Sequence, residues 1–184
     1  MEATRALHLR CGSPENWEII TGSILDDYFV DSKLANRFDV VYSYGVLHHT
    51  GSTSRAIFNA GRSLSYHGVL HIALYPNEWV EGIEARLERT QEYSRANLQR
   101  KYELEVAQAH TLFAHAFHYL VDPFEMVDGI GARGMDFWVD LRDAIGGWPL
   151  DFLWVHDVID FAKTVMDLET VRYRLNKILT KINH

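Results

Sequence analysis

The sequence predicts a mixed α/β fold in which a parallel sheet occupies the first part of the chain and helices occupy the rest. Three short apolar runs have the length and composition of buried strands, and they are Trp17–Thr21, Phe38–Ser43 and Gly68–Tyr75. Segments of helical character separate these runs, and strands that alternate with helices indicate crossover connections and parallel pairing. Between Trp79 and Tyr119 no strand pattern occurs, so one or two helices are predicted there.

The length and composition fit one compact domain. The chain has 184 residues, of which 47% are hydrophobic and 23% are charged, as expected for a folded protein. We expect residues 1–79 to form the α/β core, 80–162 a helical insert or cap, and 163–184 an amphipathic C-terminal helix. The apolar positions of that last helix are spaced like a heptad seam, which favours either packing on its own domain or self-association; they are Leu168, Val171, Leu175, Ile178 and Ile182.

Charge and targeting patterns narrow the classes of partner. The net charge is −7, and residues 121–162 carry nine acidic and two basic side chains, so nucleic acid is not an expected partner. The longest apolar run, Gly68–Tyr75, is far shorter than the ~20 residues of a membrane span. No secretory leader opens the sequence, and its single cysteine, Cys11, excludes an internal disulfide. We therefore expect a cytoplasmic protein with no membrane contact.

Two adjacent histidines carry the strongest chemical signal. His48 and His49 follow the predicted strand Phe38–Ser43, and in open α/β sheets ligands bind outside the carboxyl ends of the strands. Neighbouring side chains cannot both face one ligand on a regular element. We therefore predict that at most one of them faces a ligand and that the other packs inside or bonds a backbone group, and the alternative is that both are structural.

A second candidate is the turn after the first predicted strand. Gly22 permits close approach of a ligand, and the carboxylate of Asp26 can accept hydrogen bonds from an amino group. The alternative is an ordinary turn in which Asp26 or Asp27 caps the next helix.

Two further patterns predict no site. Gly129–Gly134 spells G-x-G-x-x-G, but an acidic, proline-containing segment precedes it where a dinucleotide fingerprint needs a strand. The second pattern is the helical stretch that contains His110, His115 and His118, which on its own would suggest a metal-binding protein. No carboxylate accompanies them at ligand spacing inside that stretch, so we predict no metal ligands.

Together these segments resemble a class I S-adenosylmethionine-dependent methyltransferase over residues 2–162. Trp17–Asp26 resembles the third strand and its adenine-contacting turn, and Phe38–His49 resembles the fourth strand and the loop that faces the reaction. Ala56–Tyr75 resembles the next helix and the fifth strand, and Arg133–Pro149 resembles an insert found in one branch of the family. The resemblance implies a partial Rossmann-like methyltransferase sheet with a large helical insert.

The resemblance also implies a cofactor and site residues. S-adenosylmethionine would be the cofactor, a small molecule the methyl acceptor, and His49 or His48 the group that orients or deprotonates it. The implied cofactor-binding residues are Gly22, Ser23, Ile24, Asp26, Ser43, Tyr44 and Gly45. The family's Gly-rich turn has no counterpart here, so we expect an N-terminally truncated or degenerate methyltransferase. The alternative is a non-catalytic remnant that associates with itself or a partner, through residues 168–182 or exposed strand edges.

Overall fold

The structure is a computed structural model, and it describes residues 2–78, 82–128 and 134–173. These residues form a mixed α/β fold with eight α-helices and one two-stranded parallel sheet, so the predicted fold class is confirmed at that level. In chain order the elements are α1 (Glu2–Arg10), α2 (Asp27–Lys33), β1 (Phe38–Tyr44), α3 (Thr53–Arg62), β2 (Leu64–Ala73), α4 (Ile83–Arg95), α5 (Leu98–His118), α6 (Pro123–Asp128), α7 (Phe137–Gly146) and α8 (Val155–Met166).

The contacts divide the chain into two compact units. Unit 1 comprises Met1–Tyr42 and Ser54–His71, and unit 2 comprises Ser43–Thr53 and Ile72–His184. The three-part division predicted from the sequence stays a prediction. Among the described residues, none of the helices combines the length and the apolar character that a bilayer crossing requires.

The two strands of the sheet correspond to two of the three predicted strands. β1 confirms the strand predicted at Phe38–Ser43. β2 begins at Leu64, four residues before the predicted start, and ends at Ala73. Gly68 is needed inside β2 because a Cβ at this position would lie 2.8 Å from the carbonyl oxygen of Phe38.

The strand predicted at Trp17–Thr21 is not formed, so that prediction is wrong. Residues 17–21 have no regular secondary structure, and the described sheet consists of β1 and β2 alone. An extended segment becomes a strand only where a second segment pairs with its main chain. Trp17 instead contacts α1, where the His8 ring packs edge-on against the indole and Nε2 donates to the Trp17 carbonyl at 3.1 Å.

Unit 1 is held together by α2 and α3. Their buried apolar residues are Val30, Ala56, Ile57 and Ala60. Asn59 of α3 is fully buried, and its Nδ2 donates to the Ile24 carbonyl at 2.8 Å and to Asp27 Oδ1 at 3.0 Å. One amide thereby joins α3 to the first turn of α2.

Unit 2 has a helical core. The helices predicted between Trp79 and Tyr119 are confirmed as α4 and α5. They pack with α7 around a cluster of buried apolar residues, which are Ala109, Phe137, Leu141 and Ile145. The carboxylate of Glu105 lies beside this cluster, where Tyr93 Oη and Arg142 Nε donate to it at 2.7 and 2.9 Å.

The helix predicted for the C-terminal segment extends only to Met166, where α8 ends. Asp167 adopts a left-handed conformation with φ of 54°, and the next amide, of Leu168, donates to the Ala162 carbonyl at 3.0 Å. Such a cap ends a helix by satisfying its last carbonyls. The prediction is therefore wrong for residues 167–173, while Leu175, Ile178 and Ile182 lie outside the described residues.

Candidate functional site

The loop after β1 brings the two predicted histidines into the second unit. Gly45 turns the chain at the end of β1 with φ of +72°, and its amide donates to the Ala73 carbonyl of β2 at 3.0 Å. A short 3-10 helix, Leu47–His49, follows directly. Both histidines therefore come just after the carboxyl end of β1, as the sequence predicted.

His49 is held by main-chain carbonyls that lie about a hundred positions later in the sequence. Its Nδ1 lies 2.5 Å from the carbonyl oxygen of Gly147 and 3.0 Å from that of Pro149. Carbonyl oxygens only accept hydrogen bonds, so Nδ1 carries a proton, and in the neutral ring Nε2 then presents the lone pair. A neutral imidazole oriented in this way can accept a proton at Nε2.

The loop after α7 fits closely around the His49 ring. A Cβ at Gly147 would lie 2.7 Å from His49 Cε1, which is closer than real side chains pack. The position therefore requires glycine, and the absence of a side chain allows the Gly147 carbonyl to reach Nδ1.

His48, unlike His49, is fully buried and makes no hydrogen bond through its ring within the described residues. Its ring centroid lies 4.2 Å from that of His49 and 4.3 Å from that of Tyr75. Burial, together with the nearby His49, lowers the pKa of His48 to about 4, although the carboxylate of Asp151 opposes the shift. His48 is therefore neutral at neutral pH.

Arg86 of α4 completes a group that we call the histidine cluster, which comprises His48, His49, Tyr75, Arg86 and Phe152. The guanidinium carbon of Arg86 lies 4.9 Å from the centroid of the Tyr75 ring and 5.5 Å from that of Phe152. These are cation–π distances. The cluster therefore combines an oriented base, a buried neutral imidazole and a cation on aromatic faces.

Residues 151–153 support the histidine cluster through hydrogen bonds. The amide of Asp151 donates to the His48 carbonyl at 2.9 Å, and the Asp151 carboxylate accepts from Thr53 Oγ1 at 2.5 Å. Tyr75 is fixed in the same way, because the Leu153 amide donates to its carbonyl at 3.0 Å. Main-chain bonds thus hold both sides of the cluster.

The turn Gly22–Asp26 lies in unit 1, whereas Ser43, Tyr44, Gly45 and both histidines lie in unit 2. Asp26 caps α2 by accepting from the Phe29 amide at 3.2 Å, and Ser23 Oγ accepts from the Leu25 amide at 3.2 Å. The Phe29 ring occupies the space next to Gly22, where a Cβ would lie 2.2 Å from it. The close approach that Gly22 permits is thus made by Phe29.

Sequence reasoning missed several members of the site. Gly147 belongs to the pair Gly146-Gly147, Pro149 lies two residues later, and Tyr75 ends an apolar run. Nothing in the local sequence distinguishes Arg86 from the other charged residues of α4.

Other candidate sites lie elsewhere on unit 2. His110, His115 and His118 are exposed on α5, and among the described residues no group of three or more His, Cys, Asp or Glu side chains could hold a metal. Most of the G-x-G-x-x-G segment, residues 129–133, lies outside the described residues. Two open hollows of about 490 and 670 Å³ lie along α4 and α5, and neither is lined by a histidine of the cluster.

The chain is a mixed α/β protein, and its candidate site is the pair of histidines after the first strand of a parallel sheet. Comparisons of the chain with protein-family models, with curated proteins and with solved structures gave no match.

Proposed function

We propose that this chain belongs to a methyltransferase fold that uses S-adenosylmethionine, and that His49 serves a small-molecule methyl acceptor. The observation that carries the proposal is the fixed His49 imidazole, whose Nδ1 donates to the carbonyls of Gly147 and Pro149 directly after a parallel strand. This is the strand end at which α/β folds bind their ligands.

The chemistry assigned to His49 is proton transfer at Nε2. The acceptor's O–H or N–H proton would move to Nε2 while the acceptor atom takes the methyl group, and S-adenosylhomocysteine would leave as the sulfonium–methyl bond breaks. Two carbonyl oxygens face Nδ1–H and hold the ring in place while Nε2 takes the proton. His48 does not compete for that proton, because its lowered pKa of about 4 keeps it neutral.

The cofactor would supply a methyl group on a sulfonium, ready for in-line displacement. In unit 2, Gly45 fits a ligand contact, because its φ is +72° and the space that a Cβ would fill is open. Ser43 and Tyr44 precede it on the same strand end and are proposed as neighbouring cofactor contacts.

The turn in unit 1 fits this role only in part. The Asp26 carboxylate is exposed and, beyond its capping bond, can accept from an adenine amino group. Gly22 does not fit, because the Phe29 ring fills the space beside it. The Ile24 carbonyl is already bound by Asn59, so within unit 1 Asp26 is the predicted residue of this turn that still offers an acceptor to an amino group.

Calorimetric titration with S-adenosylhomocysteine tests the proposal. We expect micromolar binding that is weakened at least tenfold in Gly45→Ala. The matched control is Gly12→Ala, because Gly12 also has positive φ, of +80°, and open space at its Cβ. Both variants carry the same backbone strain, so only the site should distinguish them. No binding to the wild-type chain, or equal binding by both variants, contradicts the proposal.

A second candidate function is self-association of the fold without catalysis. It is favoured by one face of the sheet in unit 1, where Val40 and Tyr42 of β1 and Val69 of β2 are 65%, 65% and 56% exposed. The ring centroids of Tyr42 in β1 and His71 in β2 lie 5.0 Å apart. Because alternate residues of a strand share a face, Val40 and Val69 lie on the same face as these two rings. A two-stranded sheet is marginal alone, and a second copy that packs the same face against this one about a two-fold axis would cover these side chains.

Light scattering during size-exclusion chromatography distinguishes this candidate. A dimer that Val40→Lys dissociates, and that the control Val165→Lys on exposed α8 leaves intact, supports self-association. A monomer over the whole concentration range excludes it.

A further inference from the structure

Arg86 is a positioned cation without an anion. Four other arginines of the described chain pair with carboxylates, and they are Arg55, Arg62, Arg100 and Arg142. The guanidinium of Arg86, in contrast, has neither an ion pair nor a hydrogen bond among the described residues, although it is only partly exposed. It lies on the faces of Tyr75 and Phe152.

The backbone at Arg86 is also fixed. The Arg86 amide donates to the Gly82 carbonyl at 3.0 Å, and its carbonyl accepts from Thr90 Oγ1 at 2.8 Å. Thr90 is itself almost fully buried. The aromatic contacts restrain the side chain without consuming its donors, because cation–π contacts use the face of the guanidinium and leave the N–H edges available.

Arg86 is close enough to the two histidines to act with them. Its charge contributes to the lowered pKa of His48. Arg86 and His49 both contact the Tyr75 ring, at 4.9 and 5.9 Å, which limits the distance from the guanidinium carbon to the His49 ring centroid to about 11 Å. A small molecule of a few bonds can span that distance.

We propose that Arg86 is the anion subsite of the histidine cluster and that it pairs with a carboxylate or phosphate group of the methyl acceptor. The planar guanidinium matches both oxyanions with two parallel hydrogen bonds. The assignment of that anion to a methyl acceptor rests on the proposed function, whereas anion binding beside His48 and His49 does not. The acceptor class is therefore a small acid whose reacting hydroxyl or amine is presented to His49 Nε2.

Imidazole NMR spectra of the full chain, recorded at fixed pH and ionic strength, test the subsite. Sodium phosphate and sodium acetate are the two probes, so the two oxyanion classes are separated. We expect a saturable shift of the His48 and His49 ring resonances with at least one probe, at millimolar concentration. Arg86→Gln should weaken that binding at least tenfold. The matched control is Arg95→Gln, because Arg95 is exposed at the other end of α4 and should bind as the wild type does.

A second variant, Arg86→Lys, tells loss of the subsite apart from loss of folding. Arg86→Lys keeps the positive charge but not the two-pronged geometry, so we expect it to retain binding that is weakened severalfold. Shifts that do not saturate with either probe, or equal affinities of wild type and Arg86→Gln, overturn the subsite. Anion binding without any affinity for S-adenosylhomocysteine leaves the subsite standing and overturns the methyltransferase proposal.

Discussion

Each unit of the molecule contains a fully buried polar side chain, and the two side chains differ in whether they make hydrogen bonds. Asn59 in unit 1 donates twice through Nδ2, and its Oδ1 accepts from Arg62 Nη1 at 3.1 Å. His48 in unit 2 is equally buried, yet neither of its ring nitrogens has a partner among the described residues.

This difference separates a structural polar group from a candidate functional one. A buried polar group that makes all of its hydrogen bonds stabilises a unique arrangement, whereas one without partners costs about 1–3 kcal/mol. Asn59 therefore explains how α2 and α3 are joined. His48 has no such structural explanation, and it lies beside the oriented base and the unpaired cation of the histidine cluster.

The largest expected effect is the loss of the Asn59 bonds. Asn59→Leu leaves the Ile24 carbonyl without its donor, and we expect it to lower the free energy of unfolding by about 4 kcal/mol, measured by urea denaturation. It also removes the main cause that holds the pKa of Asp27 below its usual value, ahead of Arg55.

Asn97 provides the matched control for this variant. It is an exposed N-cap whose Oδ1 accepts one bond, from the Arg100 amide at 2.9 Å. Asn97→Ala should cost only about 1 kcal/mol. Equal losses in the two variants would contradict the structural role of Asn59.

The second effect is a dependence of stability on pH that arises from His48. Its pKa is about 4 in the folded protein and 6.5 in the unfolded chain. Between these two pH values the unfolded chain binds a proton at His48 and the folded protein does not. The free energy of unfolding therefore decreases as the pH falls from 6.5 to 4. The expected loss between pH 7 and pH 4 is about 3 kcal/mol.

His48→Phe isolates this contribution, because phenylalanine keeps a ring but cannot be protonated. The difference in unfolding free energy between wild type and variant, measured from pH 7 to pH 4, should contain the whole loss. At pH 7 the variant should be at least as stable as the wild type, because two unpartnered nitrogens are removed. Parallel pH profiles would show that His48 is not buried as described.

The sequence predicted those parts of the fold that local patterns determine. β1 follows from an apolar run, α3 lies in a segment of helical character between two such runs, and the histidines follow from their place after β1. The segment Trp17–Thr21 has the composition of a strand, but strand formation depends on a pairing partner that no local pattern encodes. Likewise, the partners of His49 lie at Gly147 and Pro149, and only tertiary contacts bring them to the ring.

The smallest effect that we predict concerns this long-range contact. Gly147→Ala introduces a Cβ 2.7 Å from His49 Cε1, so the ring must shift away from the carbonyls that fix it. We expect a loss of about 2 kcal/mol in stability and disappearance of the protected His49 Nδ1–H resonance from the NMR spectrum. The neighbouring Gly146→Ala is the control, because its Cβ would meet Tyr93 Cε1 at an ordinary 3.6 Å. If Gly147→Ala kept the protected proton, the fixed tautomer of His49 would lose its structural basis, and so would its role as the base.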